Sequence, residues 1–400
     1  MPADRARHAG NGAGLAILGY GFRPFFLVAG IQAALVVPLF LLVYLGDGTF
    51  ASSWPVALWH AHEMLFGYAL AVVAGFLLTA VPGWQKTTPV AGGRLALLVG
   101  LWLAGRLAMA GDGVLPPLLV AGVDIAFVPV LGLVGVPSLL HPRARRNRVF
   151  LALLVLLTIA NGLMHAAAQG LIDGRVGYEL ALDTLALLIA IVGGRVIPAF
   201  TTNGLAAGGR RGVVRPHDRR DPVAVATVAA LLIADAAANL DPRAVPLVAV
   251  VALLAALTNG WRMVGWGTRH TLGKQILWVL HLGYGWLVVS FAAKGLAAAD
   301  AIDPRIAFHA LGIGAIGTMT LAIMTRAALG HTGRVIEAAP AIVAVYLLVS
   351  LAAVARIVAV VEGGAWGLIV AGAAWTLAYA LFVIAYTPVL ARPRPDGRPG

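Results

Sequence analysis

Cysteine is absent from the 400-residue sequence, so thiolate-held iron–sulfur clusters, Cys zinc sites, disulfides and thiol redox chemistry are excluded. Any metal must rest on His, Met or oxygen ligands. Charge is scarce too: 12% of residues are Asp, Glu, Lys or Arg and 60% are hydrophobic, with a mean hydropathy of +0.89. An ordinary soluble domain is roughly a quarter charged, so a water-soluble fold is excluded. Acidic side chains are the scarcer sign, 17 against 29 Lys and Arg, which leaves a formal charge of +12. That balance could point to nucleic acid, yet the basic residues fall in short loops between apolar stretches, where membrane orientation accounts for them. No nucleic-acid partner is expected. The N-terminal MPADRARHAGNGAG is polar, and the apolar run after it has no small-residue cleavage site, so no removable signal peptide is expected.

A hydrocarbon core of about 30 Å takes about 20 helical residues to cross. On that ruler the sequence predicts an all-α polytopic protein of about twelve transmembrane helices embedded in a lipid bilayer. The spans fall near 24–45, 58–81, 94–111, 114–136, 148–169, 178–199, 222–240, 244–262, 276–297, 304–326, 338–360 and 364–387. Lys and Arg test the layout, because cytoplasmic loops carry the excess of both. Alternate loops hold the N-terminal segment through Arg23, Lys86 with Arg94, Arg143 to Arg148, Arg210 to Arg220, Arg262 to Lys274, Arg326 with Arg334, and Arg392 to Arg398. The opposite loops hold little beyond Arg175, Arg243 and Arg305. The chain is therefore expected in an inner (cytoplasmic) membrane with both termini cytoplasmic. It reads as one integral membrane domain, with a flexible N-terminus over 1–22, a central cytoplasmic loop over 203–221 and a tail over 390–400.

Ionisable side chains inside spans are costly and point to interior sites. Helix two enters from the periplasmic side with His60, His62 and Glu63, helix ten enters there with His309, and helix five reaches the same level with His165. Arg106, Asp124, Asp183, Asp235, Lys294 and Arg356 share that outer half, where several can neutralise one another. Clustered imidazoles in a dry, cysteine-free setting suit haem iron or copper, though each can also serve as an interhelical hydrogen bonder. His60 and His62 are two apart, so on a regular helix they diverge by about 200° and cannot face one centre. Glu63, three residues from His60, is placed to orient that imidazole; Asn161 and His165, four apart, share a face. Arg106 and Arg356 read equally as partners of haem propionates or of Asp124 and Asp183. His281, with Arg195 in the inner half, is a further candidate ligand or part of a proton route, and its plainer reading is structural. His62-Glu63 begins an HExxH motif but Phe66 stands where the second His would be, and LGIGAIG after His309 lacks the strand a nucleotide-binding loop requires.

Long strings carry a further signal. GFRPFF at 21–26, WHAHEMLFG at 59–67, GFLLTAVPGW at 75–84, LWLAGR at 101–106, NGLMH at 161–165, GGRVIPAFTTN at 193–203 and HALGIGAIGTMTLAIMTRAALGHTGR at 309–334 resemble the NnrS family. The resemblance implies a haem- and copper-containing bacterial membrane protein, with haem of b-type, linked to denitrification, nitric oxide response and nitrosative stress resistance. It falls on His60, His62, Glu63, Asn161, His165, Arg106, Arg195 and the stretch from His309 to Arg334, without dividing them between iron and copper.

Helices two, six and ten also leave through comparable strings, FLLTAVPGW, RVIPAFTTN and IMTRAALGH, and the helices after them carry Arg106, Asp235 and Arg356. This looks like three repeats of four helices, similar to the catalytic subunit of haem-copper oxidases and nitric oxide reductases, although the paired histidines of helix seven are missing. The leading expectation is a haem protein that binds nitric oxide at the outer-half histidines and reduces it or relieves its toxicity; reduction would require an external electron donor. The competing one is a multi-span transporter or metal-handling protein without redox turnover.

Overall fold

The computed structural model describes residues 15–46, 52–140, 147–215 and 219–397, with the side chains of 136–138 left aside. Of the stretches singled out above, residues 1–14, Arg143, Arg145, Arg146, the segment 216–218 and Arg398 lie outside the described residues. Among the described residues, twelve helices are long and apolar enough to cross a membrane. They are α1 (Phe22–Tyr44), α2 (Val56–Gln85), α3 (Gly92–Ala110), α4 (Pro117–Leu140), α5 (Val149–Ala168), α6 (Gly174–Ala206), α7 (Arg220–Leu240), α8 (Val245–Met263), α9 (Gln275–Ala298), α10 (Pro304–His331), α11 (Pro340–Glu362) and α12 (Ala365–Ala391). Among the described residues there is no strand. Short connections make consecutive helices antiparallel, so the even-numbered helices all begin at one end of the bundle. That end carries His60, His62, His165 and His309; the other is rich in arginine.

α2, α6 and α10 are the most deeply buried spans with α9, while the remaining helices form an outer layer. Leu97, Leu118, Leu133, Leu257 and Ile384 project outward from that layer with most of their surface exposed, a face that only lipid would cover. Packing repeats every four helices. The first helix of each quartet lies along the second, the third along the fourth, and the last helix meets the first of the next quartet: α4 on α5, α8 on α9, and α12 back on α1 to close the ring. Capping repeats as well. Asp173 before α6 and Asp303 before α10 accept the backbone N–H of Arg175 and Arg305 at 2.8 and 2.7 Å, satisfying donors that a helix start leaves free.

Close helix approach depends on glycine at particular contacts. A Cβ on Gly75 would stand 2.9 Å from the Phe26 ring, and one on Gly283 would stand 3.0 Å from the Met319 backbone nitrogen, so α1 meets α2, and α9 meets α10, at distances only a missing side chain permits. α2, α6 and α10 outrun the sequence expectation, reaching Gln85, Ala206 and His331. Pro82 and Pro198 lie inside α2 and α6; buried neighbours support the turns that a proline weakens.

Candidate metal centre

Two segments of the central helices depart from α-helical geometry. Glu63–Ala69 of α2 and Ala310–Gly317 of α10 are π-helical, and each begins directly after a histidine, His62 or His309. π turns are rare and concentrate at functional sites. Both fall on the second helix of their quartet.

His62 has no exposed surface. Its Nδ1 lies 3.1 Å from Oε1 of Glu63, and its Nε2 lies 3.0 Å from Oδ2 of Asp124 and 2.9 Å from Oδ1 of Asn161. Nε2 of His165 meets the same Asp124 oxygen at 3.1 Å, and Asn161 donates Nδ2 to it at 2.8 Å. Helical rise explains the convergence. His62 is six residues into α2, Asp124 seven into α4 and Asn161 seven short of the end of α5, each about 10 Å from the histidine-bearing end. One ligand atom from each of His62, Asp124 and His165 lies within 4.8 Å of the other two.

Around these three stands a fixed polar shell. Arg106 on α3 donates Nη1 to Oε1 of Glu63 at 2.5 Å and Nη2 to Oδ1 of Asp124, while Gln32 on α1 donates to Oε2 of Glu63 at 2.6 Å. Gly67 makes room for this contact, since a Cβ there would stand 2.7 Å from Gln32 Nε2 and 3.3 Å from Arg106 Nη1. Trp54 roofs the site, edge-on to His62 and to His165 with ring centroids 5.0 Å away in each case. Asp112, just past α3, holds that roof: its Oδ2 accepts from the Ser53 N–H and hydroxyl, both at 2.8 Å, and from the Ser52 hydroxyl at 3.0 Å.

The chemistry of the donor set fits a metal ion. Two carboxylates face one guanidinium, so with neutral imidazoles the buried cluster carries one uncompensated negative charge. An uncompensated charge away from water is costly, and a cation answers it: a proton on His62 or a metal ion. His62 has an acceptor at each nitrogen, so without a metal only its imidazolium donates to both. Glu63 behind Nδ1 fixes that proton and leaves Nε2 as the ligand atom, the carboxylate–histidine–metal relay common in metal sites.

His60 and His309 belong elsewhere. As expected of neighbours two apart, His60 turns away from His62; its ring stacks on Phe40 of α1 at 4.1 Å, and its buried Nδ1 has no partner among the described residues. His309 donates Nδ1 to the Arg305 carbonyl at 2.6 Å, which leaves the lone pair on Nε2. The first turns of α10, with His309, pack on α11, which carries Arg356, at the same end as His60. Four histidines thus share one end but form two groups. The expectation that Glu63 orients His60 is corrected: Glu63 bonds the adjacent His62, its carboxylate held there by Arg106 and Gln32 from neighbouring helices.

Other candidates find plain partners. His281 is bonded at both nitrogens by hydroxyls, Thr201 at 2.9 Å and Thr268 at 3.0 Å; it ties α9 to α6 and stands apart from the other histidines. Arg195 donates to Asn147 at 3.0 Å. Arg106 pairs with Asp124 as one reading had it, whereas Asp183 is taken by Lys294 at 2.8 Å, and Lys294 also meets Asp235 at 2.7 Å. Sequence reasoning flagged Asp124 only as a neutralising charge and missed Gln32, Trp54 and Asp112. A lone acid in the apolar α4 was a usable signal; Trp54 and Asp112 offered none.

No curated protein matches the chain. A match to the NnrS protein family covers residues 16–394, nearly the whole chain and every residue of both histidine groups. By that match the chain belongs to the NnrS family, and with it to a family of the nitric oxide response.

Proposed function

We propose that this chain binds nitric oxide as a haem- and copper-containing protein of the bacterial inner membrane and thereby protects against nitrosative stress. The observation that carries the reading is the convergence of His62, Asp124 and His165, with Glu63 behind one imidazole. Nitrogen and carboxylate donors without sulfur suit a divalent first-row ion, and copper is our assignment there. His309, with its tautomer fixed by the Arg305 carbonyl, and His60, in an apolar stack with Phe40, would hold a b-type haem through its iron. Arg356 offers a propionate partner beside them.

The basic loops at the arginine-rich end support a cytoplasmic assignment for it and for both termini; on that assignment the two histidine groups would lie in the periplasmic half. Copper and haem would together supply ligand binding and one-electron chemistry. The chain's own residues hold and insulate: Arg106 bonds both carboxylates and keeps them in place, Asn161 orients Asp124, and Trp54 covers the two imidazoles. Reduction of two nitric oxide molecules to nitrous oxide and water takes two electrons and two protons, so turnover would also require an external electron donor.

The test is metal analysis of protein purified in detergent, with oxidised and reduced absorption spectra before and after nitric oxide. Expected are stoichiometric haem with a Soret band that shifts on nitric oxide, copper lost in His62→Ala while haem stays, and haem lost in His309→Ala. Folded protein that holds neither group overturns the reading.

A further inference from the structure

At the arginine-rich end, the start of α1 and the ends of α10 and α12 meet. His331 brings them together, its ring 5.5 Å from Phe22 and 5.9 Å from Tyr20. Arg23, the second residue of α1, has no exposed surface. Its Nη1 donates to the carbonyls of Leu390 and Arg392, both at 2.8 Å, but its Nε and Nη2 are buried without a partner among the described residues. Arg334, three residues past α10, likewise has a buried Nη1 without one. Arg394 donates Nη1 to the His331 carbonyl at 2.7 Å and pairs with Asp396 at 2.6 Å. Its Nη2 would stand 2.8 Å from a Cβ on Gly333, which puts it against the residue before Arg334. The charges of Arg334 and Arg394 both bear on Arg23.

Three guanidinium groups therefore converge, and among the described residues Asp396 is the carboxylate seen bonded to one of them, Arg394. A buried guanidinium with two donor nitrogens unpartnered among the described residues, close to two further guanidiniums, is an arrangement that an anion completes. Planar forks of N–H donors match the oxygens of a phosphate group, which accepts from several guanidiniums at once. We propose that Arg23, Arg334 and Arg394 form a phosphate-binding site where α1, α10 and α12 meet at the arginine-rich end. The site stands apart from both histidine groups and does not depend on metal content. The phosphate could come from an anionic lipid headgroup or from solution.

Thermal unfolding of the full-length protein in neutral detergent tests the proposal at constant ionic strength. The probes are phosphatidylglycerol and inorganic phosphate; diacylglycerol and chloride are their controls. At least one phosphate probe is expected to raise Tm by several degrees beyond its control. Phosphatidylglycerol alone would assign a lipid headgroup, and inorganic phosphate acting equally would assign a soluble ion. Arg334→Gln is expected to keep the unliganded Tm and lose most of the shift. Arg23 also ties α1 to α12, so the conservative Arg23→Lys, which keeps the charge but loses the fork, serves as the second variant and should weaken the shift. No shift with either phosphate probe, or a shift undiminished in both variants, overturns the proposal.

Discussion

The Nε2 atom of His62 lies 3.0 Å from Oδ2 of Asp124, an oxygen that His165 also faces at 3.1 Å. One carboxylate oxygen thus stands between two imidazoles supplied by different helices, and Asp124 is the residue on which the centre turns. Asp124→Asn keeps the shape and removes the charge, so on the proposed copper assignment it is expected to abolish copper binding while the helical content by circular dichroism stays unchanged. Copper retained at full stoichiometry would show that the ion sits elsewhere.

Glu63 holds His62 from behind without facing the other ligands. Loss of such a supporting carboxylate commonly costs about 10–100-fold in metal affinity. Glu63→Gln should weaken copper by that amount in a competition titration with a chelator, and haem content should not change.

Gly67 tests the shell through space alone. The Cβ of Gly67→Ala would stand 2.7 Å from Gln32 Nε2, and overpacking of this kind costs about 1–3 kcal/mol. A lower Tm with weakened copper is expected. An unaltered affinity would mean that Gln32 can yield without moving Glu63.

Lys294 compensates two buried carboxylates, Asp183 and Asp235. Removing one partner of a buried ion pair costs about 3–5 kcal/mol, so Lys294→Met should destabilise the protein by about that much. Adding Asp235→Asn should restore part of the loss, and denaturant unfolding of the double variant checks the coupling.

At the start of α10, the hydrogen bond from the Arg305 guanidinium holds the Asp303 carboxyl below the usual carboxylate range. A depressed value stabilises the folded state above the ordinary carboxylate pKa, about 4, and the contribution fades as pH falls through the folded-state value. Asp303→Ala should cost about 1 kcal/mol as a lost cap and flatten stability in that acid window. Hydrogen exchange at the first turn of α10 would report the fraying directly.

How far the sequence could be read follows from distance along the chain. All twelve spans are legible because each is a local apolar run, and the separation of His60 from His62 is legible because two residues set it. The Asp124 contact joins residues 62 apart along the chain, which no local pattern encodes. Glu63 serves His62 and not His60 because Arg106 and Gln32, 43 and 31 residues away along the chain, hold its carboxylate, and helix-face arithmetic does not see such partners. Trp54 and Asp112 act through a loop clamp, where neither periodicity nor hydropathy carries information.

The π-helical stretches in α2 and α10 also bear on insertion and deletion. A π turn takes one more residue than an α turn, so deleting a single residue within 63–69 would regularise α2. Everything before the deletion would then rotate by about 100° and shift by about 1.5 Å relative to everything after it. His62 would swing off Asp124 while Tyr68 kept its contacts with Thr320 and Tyr379. The same holds for His309 on α10. In both helices one surplus residue sets the phase between the histidine-bearing turns and the packed remainder, so a one-residue deletion there would uncouple ligand geometry from fold where most substitutions disturb both.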